Sequence, residues 1–105
     1  MLEDLAKALN SAIDALDASL DTYETVLKDS KSKTWAADAA KAKSKVKLSL
    51  ATARTCRDAL DAEFTKIENA TKGKRDKATE DRLEKAFDTL LTAAVVIADA
   101  EELLK

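Results

Sequence analysis

An all-α fold is what this sequence predicts, arranged as an antiparallel up-down-up three-helix bundle. Three observations point to it. Apolar residues recur at alternating gaps of three and four through three long stretches. Helix breakers are nearly absent, with no proline and one glycine in 105 residues. The pattern lapses at only two places, both short and polar. The length suits a single domain spanning residues 1–105.

The first helix is expected over about residues 2–28. Its apolar positions are Leu2, Leu5, Leu9, Ala12/Ile13, Leu16, Leu20, Tyr23 and Val26/Leu27, while Asp14, Asp17, Asp21, Glu24 and Lys28 share the opposite face. Residues 29–33, Asp-Ser-Lys-Ser-Lys, break the period and read as a loop. Thr34 is placed to cap the second helix, although Ala37 replaces the Glu of a capping box.

The second helix is expected over about 34–70. Its stripe is Trp35, Ala39, Ala42, Val46, Leu50, Ala53, Cys56, Leu60, Phe64 and Ile67, with a candidate bend or break at Lys43-Ser-Lys45, where like charges crowd. Thr71-Lys-Gly-Lys-Arg75 is the strongest turn, because Gly73 is free to take the left-handed conformation that ends a helix. The third helix is expected over about 77–104. Leu83, Phe87, Leu90, Ala94, Ile97, Glu101 and Leu104 form its main stripe, widened by Leu91, Val95 and Ala98. Glu80, Asp81 and Glu84 near its start suit the helix dipole.

Charge supports this topology. Residues 1–30 carry seven acids and two bases, residues 31–57 eight bases and one acid, and residues 78–105 seven acids and three bases. A fold-back near residue 31 sets Asp21 near Lys41 and Asp17 near Lys45. A second near 73–74 sets Lys66 near Asp81 and Lys45 near Glu102. Exposed pairs contribute only ~0.2–1 kcal/mol each, so they select a register more than they stabilise it. At 1.5 Å per residue the second helix is about 55 Å long and outreaches both neighbours. Trp35, Phe64 and Ile67 at its ends then need either a bend or another chain, which would make a larger helical bundle.

Composition removes several function classes. A chain without histidine lacks the commonest general base and metal ligand. No nucleophile sits beside an activating base at a readable spacing, so no enzyme is expected. The carboxylates Asp14, Asp17, Asp21 and Glu24 spread over more than two turns, too far for one ion, and no calcium loop exists; neither metal nor cofactor is expected. The formal net charge of −2 argues against nucleic acid. No run approaches the ~18 apolar residues of a membrane span and no signal peptide is read, so a soluble protein is expected. The single cysteine, Cys56, has no intrachain partner and reads either as a thiol of a reducing compartment or as an inert core thiol, which with the unread signal peptide makes the expectation cytoplasmic-like. The compartment itself is not legible.

Two sets of residues are candidates for binding. Tyr23, Trp35, Phe64 and Ile67 would carry a protein interface, since aromatic anchors dominate such contacts. Lys41, Lys43, Lys45 and Lys47 would contact an anion or a lipid headgroup, although their spacing of two divides them into two rows, Lys41/Lys45 and Lys43/Lys47. Pairing with the acidic helices is the plainer role for these lysines, and core-edge packing the plainer role for Trp35 and Tyr23.

Two segments resemble the plant invertase and pectin methylesterase inhibitor family. Ser19-Leu-Asp-Thr-Tyr23 is similar to its Cys-x-x-x-Tyr segment, and Ala51-Thr-Ala-Arg-Thr-Cys56-Arg-Asp-Ala-Leu60 to its Thr-Cys-x-Asp-x-Phe segment. The resemblance implies a secreted helical bundle that inhibits a carbohydrate-active enzyme by binding beside its cleft. It departs from the family in carrying Ser19 in place of the first cysteine, and in lacking the N-terminal hairpin and one bundle helix.

The function expected first is that of a non-catalytic interaction or scaffold protein acting through its surface, by a protein partner or self-association. The unbroken pattern leaves open an artificial or simplified bundle with no evolved ligand, although Val, Thr and Ser in helix interiors and a lone cysteine speak against design. The inhibitor is the alternative, and a peripheral anion or membrane-surface binder is third.

Overall fold

A computed structural model describes residues 1–29, 31 and 33–105. The described residues form three helices and no strand: α1 (Leu2–Lys28), α2 (Trp35–Ala70) and α3 (Lys77–Leu103). Each packs against both others, in a rod of 62 × 21 × 17 Å. The three-helix bundle read from periodicity is therefore the fold. The loop expected at 29–33 includes Ser30 and Ser32, which lie outside the described residues.

A seven-residue repeat organises the core. On α1, Leu2, Leu9, Leu16 and Tyr23 recur every seven residues, with Ile13 and Leu20 between them, and all six are buried. On α2, Val46, Ala53 and Leu60 are fully buried at the same spacing. A spacing averaging 3.5 keeps one seam facing the partner helices. Fully burying side chains such as Leu9, Leu16 and Leu60 stabilises the fold by about 1.5–3 kcal/mol each.

The core face of α3 differs from the expected stripe. Leu83 and Ile97 are buried as expected, and Leu90 and Leu104 are partly buried. Between them, however, the bundle interior takes Ala86, Ala93 and Ala100, not Phe87, Ala94 and Glu101. Ala93 and Ala100 are completely enclosed, while Phe87 is 48 % exposed. These alanines bury little area each, and α3 packs more sparsely on α1 and α2 than those two helices pack on each other.

The helix ends follow local chemistry. Thr34 sits at the N-cap of α2, yet its hydroxyl donates to the Asp38 carboxylate at 2.8 Å and makes no side-chain cap. The carbonyl of Thr34 accepts the Asp38 N–H. No break occurs at Lys43-Ser-Lys45: α2 is continuous, and the packing of buried Ala42 and Val46 offsets the crowded charge. α2 ends at Ala70 with Thr71 as its C-cap, and Gly73 takes the expected left-handed conformation two residues further on, with φ at +80°.

The turn from α2 to α3 is also held by Arg75. Its Nη2 donates to the Glu68 carbonyl at 3.2 Å and its Nε to the Thr71 hydroxyl at 3.2 Å. A cation thus lies at the C-terminal end of α2, where carbonyls lack helical partners. One residue later Asp76 caps α3, accepting the Thr79 N–H at 2.8 Å. That bond holds the Asp76 carboxyl below its ordinary pKa.

Candidate functional site

The four lysines diverge, as their spacing requires. Lys41 and Lys45 line the groove between α1 and α2, while Lys47 lies with Arg54, Glu101 and Lys105 between α2 and α3. None of the four forms an ion pair within 4.0 Å among the described residues. The expected pairs Asp21–Lys41, Asp17–Lys45, Lys66–Asp81 and Lys45–Glu102 do not form. On α1 the reason is geometric. Ala15, Ala18, Ser19 and Thr22 turn toward α2. Asp17 is two residues, or about 200°, from both Ala15 and Ser19, and so lies on another side of the helix.

The ion pairs between helices involve arginines. Arg54 reaches Glu101 at 3.1 Å. Arg82 grips Glu3 in a two-pronged contact, with Nε donating to one carboxylate oxygen and Nη2 to the other at 3.2 Å. This hydrogen bonding lowers the Glu3 pKa and raises that of Arg82. A fold-back near 73–74 would set Arg54 level with Ala93. Side chains lean toward their own helix N-terminus, so in antiparallel neighbours long heads meet about a turn beyond level positions. Sequence counting omitted this lean.

The expected interface residues do not form one patch. Tyr23 is 7 % exposed and belongs to the core. Phe64 and Ile67 are partly buried against it, and Phe64 meets Phe87 with ring centroids 6.2 Å apart. Trp35 is partly buried at the opposite end of α2, and its Nε1 is enclosed without a hydrogen-bond partner. Cys56 is a free, half-buried thiol packed against the core.

A surface not singled out by sequence lies on α3. Phe87, Leu91 and Val95 follow one another every four residues and are 48, 51 and 62 % exposed. Val95 is two residues from both Ala93 and Ile97, hence about 200° round the helix from the core face. An indentation lined by Asp81, Glu84, Lys85 and Asp88 lies on the same helix, with Glu84 and Asp88 three residues before and one after Phe87. The available signal was the excess of apolar residues from Leu90 to Ala98, more than one buried face uses.

A second surface is the α1/α2 groove. It is lined by Ala15, Ala18, Ser19, Thr22, Ala42, Lys45, Leu48 and Ser49, with a volume of about 490 Å³. No α3 residue lines it, so it opens on the side away from α3. Leu48 stands 71 % exposed at its rim. Here Ser19 of the motif-like segment on α1 lies beside Lys45 and Ser49 of α2.

Among the described residues, no helix is long and apolar enough to cross a membrane. Also among them, no three cysteine, aspartate or glutamate side chains group where an ion could be held. The sequence matches no family model, and no characterised protein and no solved structure matches it.

Proposed function

We propose that this chain is a non-catalytic interaction module that acts by presenting its helical surface to protein. The observation that carries this reading is the ridge of Phe87, Leu91 and Val95, three large apolar side chains left about half exposed on one line. Scattered apolar side chains are ordinary on a surface, whereas a contiguous set bordered by charge marks a contact site. Asp81, Glu84, Lys85 and Asp88 supply such a border, acidic by three to one. Helix ridges of this kind are read by grooves at intervals of three and four residues.

The test is sedimentation velocity from micromolar to millimolar concentration, on the wild type and on Leu91→Lys/Val95→Lys. Both positions are exposed, so the variant should keep its helicity and Tm. Association by the wild type that the variant loses supports the reading. Equal behaviour of the two proteins removes its support.

A further inference from the structure

We infer that the ridge on α3 docks into the α1/α2 groove of a second copy of this chain, head to tail. The inference rests on the interaction reading above and names its partner. Three features of the chain select this occupant.

The first is shape. The groove is walled by the small side chains of Ala15, Ala18, Ala42 and Ser49. Alone, a line of small residues is only a close-approach surface. Here the same chain carries a matching projection. The ridge from Phe87 to Val95 runs about 12 Å, and the groove wall from Ala15 to Thr22 about 11 Å.

The second is charge. The groove carries Lys45 and continues past Lys41, both without an ion-pair partner within 4.0 Å, and the single acid lining that stretch is Asp38. The α1 wall contributes neutral side chains because Asp17 faces elsewhere. The ridge is flanked by the opposite sign in excess, with Asp81, Glu84 and Asp88 against one cation, Lys85. A ridge against another ridge would instead bring these acids together.

The third is placement. From Phe87, which still touches Phe64 of α2, the ridge turns outward through Leu91 to Val95, and the groove opens away from α3. Within one chain they cannot meet, so each copy offers both halves of the contact on opposite sides. A contact between unlike patches repeats without closing on itself unless its rotation forms a ring. A contact two turns long falls below the ~1,200 Å² of stable complexes, so association is weak and incremental. Its charged part is screened by salt.

Mixing of complementary variants tests this. One blocks the ridge, Leu91→Lys/Val95→Lys; the other blocks the groove, Ala18→Arg/Leu48→Gln. All four positions are exposed, and unchanged circular dichroism confirms that each variant folds. At low salt the wild type should show mass rising steadily with concentration. Each variant alone should remain a monomer. Mixed in equal amounts they should form a heterodimer and stop there, since one supplies an intact groove and the other an intact ridge.

A groove variant that assembles like the wild type overturns the inference and leaves the interaction reading in place, with the ridge docking elsewhere. A ridge variant that assembles like the wild type overturns both. A wild type that is monomeric through millimolar concentration overturns the second copy as occupant.

Discussion

The rings of Phe64 and Phe87 lie 6.2 Å apart at 33°, joining the far end of α2 to the outer flank of α3. Neither ring is fully buried. Phe64 is packed against the core, and its ring contact carries that packing out to the half-exposed Phe87. A double-mutant cycle of Phe64→Ala and Phe87→Ala, measured by urea unfolding, should return a coupling of about 0.5–1.5 kcal/mol. Additive losses would mean that the rings pack independently.

The alanine seam of α3 gives a sharp contrast between neighbours. Ala93 is fully enclosed and Ala94 is exposed. Ala93→Leu should destabilise by about 1–3 kcal/mol through overpacking. Ala94→Leu should leave stability almost unchanged. The stripe expected from periodicity reverses these outcomes, so two unfolding curves decide which face of α3 is inside.

Acid should loosen the bundle through two carboxylates. Asp76 is depressed by the Thr79 N–H, and Glu3 by Arg82. A depressed folded pKa gives stability that is present above the unfolded pKa and lost as pH falls through the folded value. Thermal stability should therefore be flat from pH 7 down to the carboxylate range and fall below it. Asp76→Asn, which keeps a capping oxygen, and Glu3→Gln should together flatten that fall. An unchanged acid slope in the double variant would remove both groups as its source.

Arg75 should stabilise the end of α2 by about 0.3–1 kcal/mol, the range for a cation at a helix C-terminus. Arg75→Ala should lose this, and Arg75→Lys should recover only part, because one ammonium does not reproduce the two directed guanidinium bonds to Glu68 and Thr71. Full recovery by lysine would reduce the contact to charge alone.

Helix positions and topology were legible because they depend on local periodicity and on few breakers. The buried faces of α1 and α2 were legible for the same reason: Leu9, Leu16, Val46 and Leu60 are apolar under any weighting. On α3 apolar residues cover more than one face, so hydrophobicity no longer selects among them. Which face α3 turns inward decides, and it encloses Ala93 and Ala86 where Ala94 and Phe87 stay outside. The ridge was hidden by that same ambiguity.

The ion pairs were misplaced because fold-back counting treats side chains as points at their Cα level. It also ignores which way round the helix they face. Arg54 and Glu101 meet through their lean, and Asp17 misses Lys45 by rotation. Arg75 is a backbone cap seven residues distant from its acceptor at Glu68, and no charge pattern announces it.

The turn at 71–76 also bears on how chains exchange parts. Two long helices joined by a few residues can merge into one rod, which then reaches across to a neighbouring molecule and swaps its last helix with it. Gly73, at φ +80°, steps out of helical geometry, and Arg75 and Asp76 hold the two ends apart. Domain swapping must undo all three. The bundle is thereby kept as a unit that closes on itself.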